Sequence, residues 1–181
     1  SPSNAMSSPL WNGFVYEQHQ VAGIRWMKER EDASSHRGGL LCDEMGLGKT
    51  IQMIALLQHE REVRPGAVCP TLLVCPMSVA GNWRRELERF APELRVHVQH
   101  GPDRPVGEGF VEKSNACDVV ITTYALVSRD RPWIEEVTWE RVVLDEAQHV
   151  KNPPTKQATA IRSIKSRHRI ALTGTPVENR L

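Results

Sequence analysis

The chain has 181 residues, of which 40% are hydrophobic and 25% are charged, a composition ordinary for a soluble globular protein. Its formal net charge of +1 excludes a polyanion-binding tail, so any nucleic-acid surface must be a local patch. No apolar run approaches the roughly 18 residues that a membrane span needs, and no signal peptide is visible. We therefore expect no membrane partner.

The four cysteines are Cys42, Cys69, Cys75 and Cys117. They form no C-x-x-C pair and no zinc-type spacing with histidine. We expect them to be small buried residues of a protein kept in a reducing compartment. The five residues before Met6 have the look of a cloning remnant, and we expect residues 6–181 to form the functional domain.

Predicted strands and helices alternate along the chain. In chain order they are strand 39–42, helix 51–62, strand 71–75, helix 79–90, strand 94–98, loop 101–109, strand 118–122, helix 125–137, strand 141–144, helix 155–165 and strand 169–172. This alternation predicts βα units around a parallel sheet. The strand runs are apolar throughout, which is typical of strands covered on both faces. The predicted fold class is therefore α/β, with a mostly parallel central sheet flanked by helices on both faces.

Polar stretches follow most of the predicted strands directly. They read DEMGLGKT, CPMS, TTY, DEAQ and TGTP. The carboxyl ends of parallel strands share one edge of a sheet, and ligands of open α/β sheets bind there. The five stretches therefore predict a single site at that edge.

The stretch DEMGLGKT ends like a phosphate-binding loop, although Asp43 stands where the usual pattern has its first glycine. An aspartate tolerates a left-handed backbone better than most residues do. Gly46 and Gly48 permit close backbone approach to an anion at the start of a helix. Lys49 would supply a positive charge to the phosphates, and Thr50 a hydroxyl to Mg²⁺.

A pair of acids, Asp145 and Glu146, follows the apolar run VVL. Asp145 is placed to reach the Mg²⁺, and Glu146 to orient and deprotonate an attacking water. The alternative is a solvated acidic turn at the end of a strand. The glycine-lysine-threonine sequence expected at the same edge favours the nucleotide site.

These motifs together give a family resemblance. The chain resembles the first RecA-like lobe of superfamily 2 helicase-like ATPases with a P-loop, and in particular the Swi/Snf-type double-stranded DNA translocases. The stretches that carry the resemblance are YEQHQVAGIRWM, DEMGLGKTIQ, LLVCPMSVAGNW, VVITTY, VVLDEAQHVKN and ALTGTPVEN. The acidic residue at position 43 is a feature of that group. His19 departs from it, because a tyrosine is usual there.

The resemblance implies ATP and Mg²⁺ as cofactors and a set of site residues. Lys49, Asp145 and Glu146 would be catalytic, with Thr50 and Asp145 at the metal. The implied nucleotide-binding residues are Gln20, Asp43, Gly46, Leu47, Gly48, Lys49 and Thr50. The residues implied to couple the nucleotide state to lobe closure are Gln148, Thr173, Gly174 and Thr175. Simple turn chemistry is the alternative for this last group.

The resemblance also implies contacts with a DNA strand through Ser78, Thr122 and Thr123, since hydroxyls commonly bind DNA phosphates. Helix capping and turn polarity are the alternative. Two tryptophans, Trp26 and Trp83, have the spacing of packing residues rather than of base-stacking platforms. A basic set is interpreted as a solvated helix end that favours the helix dipole, and it comprises Arg162, Lys165, Arg167, His168 and Arg169.

The activity implied is ATP hydrolysis coupled to movement along double-stranded DNA in the full-length protein. In such motors a second RecA-like lobe carries the arginine fingers, and its motifs are absent up to Leu181. A missing arginine finger lowers the rate by about 10³ to 10⁵, so we expect this lobe alone to hydrolyse ATP very weakly. The expected partners are DNA, the second lobe and a protein cargo that the sequence does not identify. The exposed lobe-facing surface also offers a route to self-association.

Two other functions stay open at the level of sequence. One is a different superfamily 2 motor, such as a restriction-system subunit or an RNA helicase, although RNA helicases usually read DEAD where DEAQ stands here. The other is a module in which ATP binding alone controls a protein partner. The insertion-poor lobe favours a bacterial or archaeal source, and hence a cytoplasmic or nucleoid-associated protein, over a nuclear eukaryotic one.

Overall fold

The computed structural model describes residues 38–42, 47–66, 69–146 and 156–173. Within these ranges six strands alternate with five helices. The strands are β1 (Gly38–Cys42), β2 (Thr71–Cys75), β3 (Val96–Val98), β4 (Val119–Thr123), β5 (Trp139–Asp145) and β6 (Ser166–Thr173). The helices are α1 (Leu47–Val63), α2 (Met77–Phe90), α3 (Glu108–Asn115), α4 (Tyr124–Ile134) and α5 (Lys156–Ser163).

The six strands form one sheet in the order β1-β6-β5-β2-β4-β3. Every neighbouring pair is parallel, so all the strands present their carboxyl ends at one edge. This edge is called the carboxyl edge below, and the opposite one the amino edge. The predicted α/β fold with a parallel sheet is confirmed.

Helices cover both faces of the sheet, as the uniformly apolar strands predicted. Successive residues of a strand point to opposite faces, and β2 shows this clearly. Leu73 packs in a core with residues of α1 and α2, while Leu72 and Val74 pack in a second core with residues of α3, α4 and α5. Both cores consist of nearly inaccessible side chains, and burial of each large one contributes roughly 1.5–3 kcal/mol to stability.

Helix α3 is the one element in the described ranges that the sequence pattern did not predict. It has eight residues, EGFVEKSN, and buries Phe110 and Ser114. So short a helix, with a glycine inside it, has little periodicity to detect. The other elements match their predicted positions, with ends that differ by up to four residues. None of the helices in the described ranges is long and apolar enough to cross a membrane.

Three cysteines have described side chains, and all three are free thiols. Cys75 and Cys117 are buried and Cys69 is partly exposed. The predicted burial is therefore confirmed for Cys75 and Cys117 and is wrong for Cys69, while the reducing compartment stays a prediction. The side chain of Cys42 lies outside the described part of the structure.

Candidate functional site

The two stretches expected to meet a nucleotide lie at the same edge of the sheet. Leu172 of β6 pairs with Leu41 of β1 on one side and with Asp145 of β5 on the other. Neighbouring strands are about 4.8 Å apart, so the ends of β1 and β5 are roughly 10 Å apart across β6. A single ligand with several phosphates can therefore contact residues that follow both strands.

Helix α1 begins at Leu47, close behind the end of β1, and runs for 17 residues. Its first turn contains Gly48, Lys49 and Thr50. No acidic residue lies in this first turn. The first N–H groups of a helix have no partner within the helix and carry the positive end of its dipole. The start of α1 is therefore suited to bind an anion such as a phosphate group.

Asp145, the last residue of β5, is held by hydrogen bonds to its side chain and to its main chain. Its side chain is buried, with 4% relative exposure. The indole Nε1 of Trp83 donates to its Oδ2 at 2.7 Å, and the amide of Glu146 donates to its Oδ1 at 2.9 Å. The hydroxyl of Tyr124 donates to its main-chain carbonyl at 2.7 Å. Both carboxylate oxygens and the backbone are thereby fixed in direction.

Glu146 has a left-handed backbone, with φ of 54°, and it is the one non-glycine residue with positive φ in the described ranges. Such a conformation is uncommon for glutamate. Strained residues of this kind cluster at functional sites, where the surrounding structure imposes them. The left-handed turn changes the direction of the chain directly after Asp145. The side chain of Glu146 is partly exposed.

Two ionisable groups beside Asp145 are kept in their neutral forms. Burial, and then the negative charge of Asp145, raise the pKa of the Cys75 thiol to about 12. Burial, followed by the charges of Asp145, Cys75 and Glu146, raises the pKa of Tyr124 well above its usual value. Tyr124 therefore remains a protonated donor to the Asp145 carbonyl at any physiological pH.

The chemistry of this edge fits magnesium. Asp145 offers carboxylate oxygens, and Thr50 offers a partly buried hydroxyl at the start of α1. No group of three or more histidine, cysteine or acidic residues suited to a metal occurs among the described residues. Mg²⁺ is usually held by one or two carboxylates together with substrate phosphates and water.

Several predicted site residues lie outside the described residues. They are Gln20, Asp43, Gly46, Gln148, Gly174 and Thr175, together with His19 and Trp26. Leu47, Gly48 and Lys49 are described as helical backbone, and Thr173 as the last residue of β6, without their side chains. Their predicted roles remain predictions.

The three hydroxyl residues expected near DNA differ in exposure. Ser78 lies in the first turn of α2 and is exposed. Thr122 and Thr123 are buried, with relative exposures of 1% and 6%. Thr123 caps α4 by accepting from the amide of Leu126 at 3.4 Å, which supports the helix-cap alternative for it. A DNA contact through the two threonines stays a prediction that requires this edge to rearrange.

Arg169 of the basic set and Trp83 have structural roles. Arg169 donates to the main-chain carbonyls of Ile161 and Ile164 at the end of α5, as expected for a cation at a helix C-terminus. Trp83 is buried in the core between α2 and the sheet, as predicted. Its hydrogen bond to Asp145 was not predicted, because sequence spacing places a residue on a helix face but does not identify its partner on another strand.

A cleft of about 460 Å³ opens at the amino edge, on the opposite side of the molecule from Asp145. Its arginines are already paired, Arg61 and Arg95 with Asp118 and Arg64 with Glu140. Neither a helix N-terminus nor a glycine-rich turn after a strand faces it among the lining residues. The carboxyl edge is therefore the candidate for a nucleotide site that the geometry favours.

Comparisons with known proteins agree with this arrangement. The chain is 45% identical over 174 residues to YwqA of Bacillus subtilis (strain 168), which is named as a candidate ATP-dependent helicase/translocase, covering 96% of this chain and 18% of that protein. It is 33% identical to the ISWI chromatin-remodeling complex ATPase ISW1 of Saccharomyces cerevisiae, covering 96% of this chain and 15% of that protein. The chain thus spans less than a fifth of the length of these relatives.

A solved structure shares the fold as well. The Sulfolobus solfataricus SWI2/SNF2 ATPase core in complex with dsDNA matches with a TM-score of 0.77 and 42% identity, over 90% of this chain and 32% of that one. The family model for the SNF2-related domain matches residues 19–181. The chain therefore belongs to the SNF2-related family, and its sheet and helices form a RecA-like lobe of that family's ATPase core.

Proposed function

We propose that this chain is the ATP-binding lobe of an ATP-dependent double-stranded DNA translocase. The observation that carries the proposal is the convergence at one edge of the start of α1, which bears Lys49 and Thr50, and the end of β5, which bears Asp145 and Glu146. The similar SWI2/SNF2 ATPase core of Sulfolobus solfataricus is in complex with dsDNA, which supports the choice of substrate.

In this proposal the residues at the carboxyl edge have different roles in hydrolysis. The amide groups at the start of α1 and the Lys49 ammonium bind the phosphates. Thr50 and Asp145 would hold Mg²⁺, which supplies positive charge to the phosphate oxygens when bound. Glu146 orients a water for attack and takes its proton. Gln20 would contact the adenine, and Gln148 with Thr173, Gly174 and Thr175 would sense closure of a second lobe.

The structure also supports a place for DNA in this scheme. Ser78 is exposed at the start of α2, directly after the end of β2, and so lies on the same edge of the sheet as Asp145. A DNA phosphate bound there would lie close to the helix that carries Trp83. We propose that the second lobe completes the DNA track and supplies the arginine finger, and that any self-association of this lobe uses the surface that faces the second lobe.

The test is the ATPase rate of the full-length protein with and without double-stranded DNA. We expect stimulation by duplex DNA and none by RNA. Glu146→Gln should lower the stimulated rate by about 10²- to 10⁴-fold, because it removes the general base and keeps the size of the side chain. Stimulation by RNA alone would favour an RNA helicase. ATP binding with no hydrolysis in the presence of DNA would favour a nucleotide-gated module.

A further inference from the structure

We propose that Trp83 and Tyr124 are positioning residues for the metal-binding carboxylate, setting the direction of Asp145 from two different helices. The inference rests on the proposed function, since it takes Asp145 as the magnesium-side acid. It assigns both residues a role in the nucleotide site, although both belong to helices of the protein core.

The first support is the position of the Trp83 indole. Its ring is 2% exposed, and its Nε1 lies 2.7 Å from Oδ2 of Asp145. A hydrogen bond from a neutral donor to a carboxylate is short and strong in a buried site. The ring is fixed by the packing of α2 on the sheet, so its N–H points in one direction. Asp145 therefore has a rigid donor that restricts rotation of its carboxyl group.

The second support is that the main chain of Asp145 is fixed separately. Tyr124, the first residue of α4, donates its hydroxyl to the Asp145 carbonyl at 2.7 Å and is buried. The Glu146 amide donates to the other carboxylate oxygen, Oδ1, at 2.9 Å. With the backbone and both side-chain oxygens constrained, the carboxylate has one preferred orientation.

A second buried tryptophan offers a comparison, because its indole N–H has a partner outside the acidic motif. Trp139 is 1% exposed and also needs a partner for its Nε1. It donates to the main-chain carbonyl of Ile134 at 2.9 Å, which involves no functional group. The two residues therefore form a matched pair, one linked to the acidic motif and one purely structural.

The test compares Trp83→Phe with Trp139→Phe in the full-length protein. Each substitution keeps a buried ring and removes one indole N–H. The affinity for a fluorescent ATP analogue is measured with Mg²⁺ and with EDTA, together with kcat, KM and the thermal midpoint. Loss of a group that orients a metal ligand typically lowers metal affinity or activity by about 10- to 100-fold.

Magnesium should raise the affinity of Trp83→Phe for the ATP analogue about 10- to 100-fold less than it raises the affinity of the unsubstituted protein. The affinity in EDTA should be unchanged. The substitution should lower kcat more than it raises KM. Trp139→Phe should alter the thermal midpoint alone. Equal magnesium dependence in the two variants would overturn the inference, as would an equal loss of affinity in EDTA.

Tyr124→Phe keeps the proposal testable if Trp83→Phe does not fold, because it removes only one hydroxyl group. It should also reduce the magnesium-dependent gain, and an unchanged gain would count against the proposal. Failure of the proposed function is distinguishable, since the unsubstituted protein would then show no magnesium-dependent binding of the ATP analogue at all.

Discussion

The two edges of the sheet both hold buried acids, but they hold them in different ways. At the amino edge the acids face arginines: Glu60 pairs with Arg141, which is fully buried, and Glu140 pairs with Arg64. At the carboxyl edge Asp145 accepts from the indole of Trp83 and from a main-chain amide. An acid paired with arginine has its charge balanced within the protein. Under the proposed function, the carboxylate of Asp145 would instead meet a cation that arrives with the substrate.

The difference indicates that one edge of the sheet contributes mainly to the stability of the protein and the other mainly to its proposed activity. Charge pairs at the amino edge connect α1 to β5, through Glu60 and Arg141, and to the residue before β4, through Arg61 and Asp118. They fasten the helix that follows the predicted phosphate-binding loop. The left-handed backbone of Glu146 and the indole donor of Trp83 lie at the other edge. We expect substitutions at the amino edge to change stability chiefly, and substitutions at the carboxyl edge to change activity chiefly.

The largest effect on stability should come from the buried pair of Glu60 and Arg141. Arg141 donates through Nη1 to Glu60 at 3.0 Å and to Thr71 at 3.0 Å. Glu60→Gln leaves the guanidinium charged and without its buried counter-ion, and this should cost about 3–5 kcal/mol of the free energy of unfolding. The measurement is urea denaturation of the 181-residue chain.

The control replaces both members of the pair, Glu60→Leu with Arg141→Met. Because the double variant leaves no unpaired buried charge, it should be much more stable than Glu60→Gln alone. A single variant that costs less than about 1 kcal/mol would show that the pair is solvated like a surface ion pair, and the contrast between the edges would fail.

Alkaline pH should weaken the carboxyl edge through Cys75. Its pKa rises from 9.0 to about 12 on folding, so the stabilisation from its neutral thiol is fully present below pH 9 and is lost as the pH rises toward 12. In that window one thiol lowers the free energy of unfolding by up to about 1.4 kcal/mol per pH unit. Cys75→Ala should show a shallower loss between pH 9 and 10.5 in denaturation curves. Parallel losses in the parent and the variant would refute this.

A substitution at Asp118 tests how much the more exposed part of the amino edge contributes to stability. It accepts from Nη1 of Arg61 at 2.8 Å and from the amide of Arg95 at 2.7 Å, and its side chain is 21% exposed. Asp118→Asn should cost about 1.5 kcal/mol, less than the fully buried pair, because water partly replaces the lost partner.

The matched control for Asp118 is Glu88→Gln, which breaks the surface pair with Arg84 on α2, where both side chains are about 60% exposed. That change should cost less than about 0.5 kcal/mol. Raising the salt concentration should reduce the Asp118 effect only in part. If the two variants lose the same free energy of unfolding, Asp118 contributes no more to stability than an exposed surface acid does.

The sequence predicted the fold well because its strands are uniformly apolar and its turns carry strong motifs. The run TLLVC was placed correctly at Thr71–Cys75, and the position of Asp145 at a strand end followed from VVLDE. Helix α3 was missed, since only eight residues, with a glycine in the first turn, give little helical periodicity.

The contacts around the site were less predictable than the positions of its residues. Trp83 has helical core spacing, which predicts burial, yet its bond to Asp145 joins residues 62 positions apart in the chain. Strand order decides that contact, and a single sequence does not encode strand order in a local pattern. The left-handed Glu146 is equally hidden, because its backbone is imposed by the surrounding fold.

The smallest effect should be a gain in stability at the carboxyl edge. Glu146 has φ of 54°, a left-handed conformation that costs a residue with a side chain about 1–2 kcal/mol and costs glycine nothing. Glycine also increases the entropy of the unfolded chain, which offsets about 0.4–1 kcal/mol. Glu146→Gly should therefore stabilise the 181-residue chain by about 0.5–1 kcal/mol in urea denaturation. Glu146→Ala, which also loses the carboxylate but keeps the strain, should give no gain. Since both variants lack the proposed base, both should lose DNA-stimulated hydrolysis in the full-length protein. A glycine variant no more stable than the alanine variant would mean that the turn after β5 is unstrained. The carboxyl edge would then not reduce the stability of the protein.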